Sequence, residues 1–425
     1  MTRVQTKTAG SLNPAWLVIL AGVVAALHVG KLSPALPVLR ETLGVTLVQA
    51  GFLLSLVQIA GMSLGLVVGL AADGLGLKRS MVSGLLILFA ASALGAWAND
   101  AATLLWLRAV ESFGFLLVAM PGPSLIRHLA PPARTSTLLG YWGTYMPLGM
   151  AMALLLGPLV IAEGGWPLWW QALSVLTLFM AVWLWRVAPV DKTRAPGLGL
   201  PTVQTQTTDA QRIAPWPQRL QQTLGSRGPW LVALSFAVYS GQWLAVIGFL
   251  PTVYAQAGVA GGVTAVLTAL VAAVNLVGNV ASGRLLDRGV APQVLLRIGF
   301  AVMGLGALAA FATYPLEPDG AALPPVLRYL AVLLFSMVGG LIPGTLFSLA
   351  VRVAPNAHTV STTVGWMQQW SAFGQFAGPP LVAVLASRVG GWQWTWGVTG
   401  VCCLMGLVFA WQIGKIGKIA KWEAS

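Results

Sequence analysis

Gly69-Leu70-Ala71-Ala72-Asp73 returns 214 residues later as Gly283-Arg284-Leu285-Leu286-Asp287. The same offset carries Trp16-Leu17-Val18 to Trp230-Leu231-Val232 and Pro37 to Pro251. Farther along, Pro121-Gly122 returns as Pro343-Gly344, Ala130-Pro131 as Ala354-Pro355, and Gly164-Gly165-Trp166 as Gly390-Gly391-Trp392. The offset grows slowly, as a longer connection near Glu317-Pro318-Asp319-Gly320 would make it. Matches that keep one order and nearly one spacing are not coincidence, even in a Leu/Ala/Gly-rich alphabet. The 425-residue chain is one unit written twice.

Composition fixes the medium. Hydrophobic residues make up 57% of the chain and charged residues 8%, whereas a soluble domain carries about 25% charged residues. The 19 Trp and 49 Gly suit helices that pack closely in lipid and anchor at its interfaces. The class is an all-α polytopic membrane protein. The net charge of +13 does not point to nucleic acid, because Lys and Arg fall in short segments between apolar runs, where they encode topology. Cys402 and Cys403 are adjacent, and no Cys/His spacing suggests a metal. No Gly-x-x-x-x-Gly-Lys-Ser/Thr, Gly-x-Ser-x-Gly or His-Glu-x-x-His is present, so neither cofactor nor catalytic residue is expected and the chain does not read as an enzyme. Duplicated halves in a membrane protein point to a carrier that rocks one half against the other around a central site.

A bilayer core of about 30 Å takes ~20 apolar residues per helix. Twelve stretches qualify: 15–38, 48–70, 80–98, 103–126, 136–160, 167–187, 229–252, 263–285, 293–313, 326–350, 361–386 and 392–414. We number them spans 1 to 12. The expected organisation is a six-helix bundle over 1–187, a cytoplasmic linker over 188–228, a second bundle over 229–414 and a basic tail over 415–425. The linker is rich in Thr, Gln and Pro, and its stretch from Trp216 to Leu224 is suited to a surface helix. Lys78, Arg79, Arg127, Arg134, Arg288, Arg352 and the tail lysines Lys415, Lys418 and Lys421 all fall on one side, which the positive-inside rule makes cytoplasmic together with both termini. Arg3 and Lys7 precede a first apolar run too long for a signal peptide, so that run is expected to be retained as span 1.

Between spans 2 and 3, Gly69-x-x-x-Asp73-x-x-Gly76-x-Lys78-Arg79 resembles the signature loop of the major facilitator superfamily, with Gly74 where that family usually has Arg or Lys. The second copy, Gly283-x-x-x-Asp287-Arg288, keeps that basic residue and loses the later ones. Arg108-x-x-Glu111-x-x-Gly114 resembles the Arg-containing motif of the family's fourth helix. The resemblance covers essentially the whole chain. It implies twelve helices in two pseudo-symmetric six-helix bundles, alternating access, spans 1 and 4 facing one cavity, and a monomer as the working unit. The segment from Gly30-Lys31 through Pro37 and Leu43-Gly44-Val45 to Ala50-Gly51 is similar to the cyanate/nitroimidazole-type branch. That likeness implies a bacterial inner-membrane permease for small anions or drug-like molecules.

Ionisable groups inside a span are costly and mark function by default. His28 and Lys31 in span 1, and Arg108 and Glu111 in span 4, are each spaced i, i+3 and so share a helical face. Counted from the outer ends, all four lie at similar depth. Two cations and one carboxylate leave a positive charge that a small anion would balance. Lys31 and Arg108 are therefore expected to bind substrate, with Glu111 or His28 taking the coupling proton. Other readings stand beside this one: Lys31 snorkelling to the headgroups, Arg108–Glu111 as a structural pair, and Lys31–Glu111 as a neutralising bridge.

The second half offers uncharged partners instead. Gln242 aligns with His28, and Asn275, Asn279, Gln368, Gln369 and Gln375 follow. Gln242, Asn275 and Gln368 join the expected substrate contacts. Tyr141, Trp142 and Tyr145 either line the cavity or pack, packing being the simpler reading, and Tyr145 completes the expected contact set. Asp73, Lys78, Arg79, Asp287 and Arg288 sit at cytoplasmic helix ends and are expected to gate the conformational change. The function expected is a secondary active transporter that imports a small organic or inorganic anion with protons. The alternative is a proton-coupled exporter of drug-like molecules.

Overall fold

A computed structural model describes residues 14–131, 138, 141–188, 216–317, 320–356 and 359–422. Asp73, Arg127, Arg134, Lys418 and Lys421, all named above, lie outside the described side chains or residues, as does most of the linker.

Among the described residues, ten helical stretches are long and apolar enough to cross a membrane. One of them, Tyr145–Val187, contains two spans joined through Gly164 and Gly165. Gly165 has φ +74 and ψ 178, backbone that essentially only glycine adopts. The helical path therefore reverses there without an ordinary loop, making spans 5 and 6. Val360–Val389 is a further membrane-length helix that falls short on apolarity because Gln368, Gln369 and Gln375 interrupt it. The twelve expected spans are present, and the fold is all-α apart from a two-residue hairpin pairing Thr313–Tyr314 with Ala321–Ala322.

Span 1 runs from Pro14 to Thr42 and is broken in the middle: one helix ends at Gly30 and the next begins at Leu32. Pro34 explains the break, since it has no N–H and its ring collides with the carbonyl four residues back, at Gly30. Span 2 opens on a capping box in which Thr46 and Gln49 exchange side-chain and backbone hydrogen bonds. It continues through a 3₁₀ turn at Leu56–Gln58 into Ile59–Leu75. Gly76, at φ +85, makes the turn to span 3 (Leu77–Gly95), which is why the signature loop needs a glycine there. Span 4 (Ala101–Ala119) is capped by Asp100, which accepts from the Thr103 amide at 2.8 Å.

Span 7 is Arg227–Gln256, preceded by a short helix over Trp216–Gly225 in the linker. Span 8 is Gly261–Ala273 continued by Asn275–Asp287, and span 9 is Pro292–Phe311. Span 10 is Pro325–Gly339 continued by Leu341–Val353, and span 12 is Thr395–Trp422.

The packing repeats like the sequence. Span 1 lies on span 5 as span 7 lies on span 11, and span 3 on spans 4 and 6 as span 9 on spans 10 and 12. The halves meet through spans 2 and 11 and through spans 5 and 8, again equivalent pairs. Small residues bring the seam close: Gly51 rests on Pro380 and Ala383, and Gly248 on Leu54. Gln58 Nε2 donates to Gln375 Oε1 at 2.9 Å, and Gln369 Nε2 donates to the Met62 carbonyl at 2.8 Å, both across the seam.

Candidate functional site

Two features stand out, and they are separate. The first is a cavity of about 520 Å³ between the halves, lined from spans 5, 7, 8, 10 and 11. Its walls include two stacked aromatic pairs: Trp142–Tyr145, with centroids 4.7 Å apart, and Phe236–Tyr239, at 6.2 Å. Hydrogen-bonding groups line the cavity as well. Asn275 Nδ2 donates to the Ser336 carbonyl at 2.8 Å and to the Tyr239 hydroxyl at 3.1 Å, and Asn279 Nδ2 donates to Asn275 Oδ1 at 2.9 Å. Trp243 Nε1 donates to Ser336 Oγ at 3.1 Å. Gln368, Ser371 and Gln375 complete the polar wall on span 11. No charged side chain lines this cavity among the described residues. Its exposed lining residues, Tyr141, Gly143, Val280, Gly283 and Phe347, sit toward one end of the bundle, that of the spans 2–3 and 8–9 connections.

The second feature is a buried charge cluster in the first half. His28, Lys31, Arg108 and Glu111 are all 0–2% exposed, so the depth count and the i, i+3 spacing do bring them together. Lys31 Nζ donates to Glu111 Oε1 and to Ser92 Oγ, the latter at 3.0 Å. Arg108 NH1 donates to Glu111 Oε2 at 2.6 Å. The rest of that guanidinium is spent on backbone: Nε on the Leu53 carbonyl at 3.0 Å, NH1 on that of His28, and NH2 on that of Val29 at 3.1 Å. The last two carbonyls belong to the final turn before the break in span 1, where a helix end attracts a cation. His28 Nε2 meets Thr177 Oγ1 at 2.7 Å, while Nδ1 lies 3.9 Å from Glu111 and has no hydrogen bond among the described residues. Lys31 Nζ also stands 4.7 Å over the Trp170 ring. A void of about 10 Å³, room for one water, adjoins Lys31, Arg108 and Glu111.

The expected substrate contacts therefore divide. Tyr145, Asn275 and Gln368 line the cavity; Lys31, Arg108 and Gln242 do not. Gln242 is turned toward span 12, where its Oε1 accepts from Cys403 Sγ at 3.2 Å. Tyr141 and Trp142, for which packing was the simpler of two readings, line the cavity, and Trp142 packs as well, with its indole filling the space above Gly22 and Gly122. Among the expected gating residues, Lys78 is buried, donates to the Ala188 carbonyl at 2.5 Å and stands over Trp185, which ties span 3 to span 6. Arg79, Asp287 and Arg288 are exposed. Asp73 falls in the last turn before Gly76. Tyr239, Trp243 and Ser336 were not foreseen. An aromatic or hydroxyl residue in an apolar run carries no sequence mark that separates cavity from lipid.

The fold is similar to solved transporter structures. Two structures of a bacterial homolog to the human lysosomal transporter Spinster, one inward-facing and unoccupied, the other inward-facing and occupied, each superpose with a TM-score of 0.75 at 15% identity. Each covers 96% of this chain and 98% of its own. No curated protein matches the sequence. The sequence profile of the Major Facilitator Superfamily matches residues 18–378. With that profile spanning spans 1 to 11 and the paired bundles closing around a central cavity, the chain belongs to the Major Facilitator Superfamily.

Proposed function

We propose that this protein is a proton-coupled secondary transporter of an uncharged or charge-delocalised, ring-containing small molecule, in line with the exporter reading of the sequence. The observation that carries it is the central cavity, lined by stacked aromatic pairs and amide groups with no charged side chain among the described lining residues. Apolar walls with a few fixed polar groups are what a drug-sized ligand needs. The open end lies on the side the positive-inside rule makes cytoplasmic, so this conformation would receive its cargo from the cytoplasm of a bacterial cell, with the protein working as a monomer in the inner membrane.

The buried cluster supplies the coupling. Glu111 neutralises Lys31, which sits in the break of span 1, and Arg108, which holds the carbonyls beside that break. Protonating Glu111 would leave Lys31 and Arg108 facing each other without a counter-charge, an expensive state in a buried site. The outer segment Leu32–Thr42, which packs on span 7, would then be released to open the other side. His28 Nδ1, unbonded and nearest to Glu111, is the relay for that proton.

A second reading has its own support. With His28 neutral the cluster keeps one positive charge in excess, so an imported small organic or inorganic anion would be drawn to Lys31 and Arg108. Admitting it requires opening the Lys31–Glu111 bond, because the space there is the size of one water. The deciding experiment is a thermal-shift screen of purified protein against neutral lipophilic compounds, lipophilic cations and small oxyanions, followed by flux in proteoliposomes under an imposed pH gradient. Stabilisation by ring compounds that disappears in Asn275→Leu, with flux driven by the gradient, supports the first reading. Stabilisation by oxyanions alone, lost in Lys31→Met, replaces it with the second.

A further inference from the structure

A second cavity, of about 480 Å³, lies inside the C-terminal bundle at the end opposite the mouth of the central one. Along span 7 the central cavity uses Phe236 to Trp243 and this one uses Leu250 to Ala257, a separation of about 20 Å at the helical rise. Spans 8, 9 and 10, the hairpin after Phe311 and the connection between spans 11 and 12 close the other sides. The central site does not use it.

Its chemistry is one-sided. Arg328 Nε donates to the Ala310 carbonyl at 2.6 Å, which fixes the guanidinium and leaves both terminal nitrogens without a hydrogen bond or ion pair among the described residues. The Tyr254 hydroxyl is likewise without a hydrogen bond among the described residues. Gln256 accepts from the indole of Trp392 with its Oε1 at 2.7 Å, and its amide nitrogen makes no hydrogen bond among the described residues. No carboxylate lines the cavity among the described residues, and Leu250, Leu267, Phe311 and Val332 give it an apolar depth. Donors that share one cavity with a single cation and an apolar lining fit a single oxyanion carried on an apolar body.

We infer that this cavity is a second ligand site, distinct from the transport cavity, for an amphiphile with one anionic oxygen head, a carboxylate or a phosphate diester. Arg328 binds the head, Tyr254 and Gln256 orient it, and the chain lies toward Leu267 and Phe311. Such a ligand reaches the site either from solution or as an anionic lipid from the adjoining leaflet.

The test uses the full chain in phosphatidylcholine nanodiscs, with radiolabelled decanoate in equilibrium dialysis for the soluble source. For the lipid source, native mass spectrometry follows retention of phosphatidylglycerol from mixed discs. Saturable binding of one decanoate, or selective retention of one phosphatidylglycerol, is expected in the wild type. Arg328→Gln is expected to weaken whichever binds by about tenfold or more, the scale of a lost hydrogen-bonded charge. Tyr254→Phe, which removes one oxygen and stands in should Arg328→Gln fail to fold, is expected to weaken it about threefold. Failure of both probes to bind, equal binding of decanol, or wild-type affinity in the folded variants overturns the assignment.

Discussion

Arg108 and Glu111, one turn apart in span 4, meet through a 2.6 Å charge-assisted hydrogen bond in which the carboxylate also holds Lys31. Removing that carboxylate leaves two buried cations with no counter-charge. Glu111→Gln is expected to lower stability by about 3–5 kcal/mol, read as a fall in melting temperature by intrinsic fluorescence. Adding Lys31→Met to the same protein removes the repulsion and should restore part of the loss. A Glu111→Gln protein as stable as wild type would show that the cluster does not bear on folding.

Lys31→Met alone leaves Arg108 and Glu111 as a balanced pair. For a substrate held in the central cavity, KM should stay within about twofold of wild type while the pH dependence of flux changes, because the residue lies outside the binding wall. A rise in KM of tenfold or more, about 1.4 kcal/mol, would place substrate on Lys31 and favour the anion reading.

Asn275 sits at the centre of the cavity's polar network, bonded to Tyr239, Ser336 and Asn279. Asn275→Leu removes the network while keeping the volume, and ligand affinity should fall by about 1–3 kcal/mol, the cost of leaving buried polar partners unmatched. Unchanged affinity in a folded Asn275→Leu protein would move the binding site elsewhere.

Gly165→Ala puts a side chain on backbone at φ +74 and ψ 178. The strain is about 1–3 kcal/mol, and it falls on the bend between spans 5 and 6. Thermal unfolding should register it, and an alanine variant as stable as wild type would mean that the bend has another geometry.

Asp100 is the simplest pH sensor outside the membrane. Hydrogen bonds from the Thr103 amide and hydroxyl hold its carboxyl below the ordinary carboxylate range. A depressed folded pKa stabilises the cap above the unfolded value, and that stability is lost as pH falls through the folded one. Exchange of the Thr103 amide should accelerate, relative to its intrinsic rate, as the medium is acidified, and Asp100→Asn should remove that pH dependence.

The twelve spans were legible because a bilayer imposes length and apolarity on each segment, and the halves because duplication leaves matched Pro, Gly and Trp. Convergence of His28, Lys31, Arg108 and Glu111 was legible from i, i+3 spacing and depth together with the facing of spans 1 and 4 that the family resemblance implies. What closes around them was not, since Ser92, Thr177 and the Leu53 carbonyl arrive from other spans, and a sequence does not mark which hydroxyl or carbonyl will be near. The break in span 1 was implicit in Pro34, but its role in presenting the carbonyls of His28 and Val29 to Arg108 required the fold. Gln242 shows the limit of alignment between copies. It occupies the place of His28 in the repeat, yet the second half turns it toward Cys403 on span 12.

The two copies share a backbone plan, but every ion pair among the described residues lies in the first, while most of the cavity wall comes from the second. Under the function proposed above, energy conversion and molecular recognition would fall to different gene halves. Substitutions on spans 7, 8, 10 and 11 would then retune what the protein accepts without disturbing the charges that drive it, leaving selectivity free to drift while the motor is inherited unchanged.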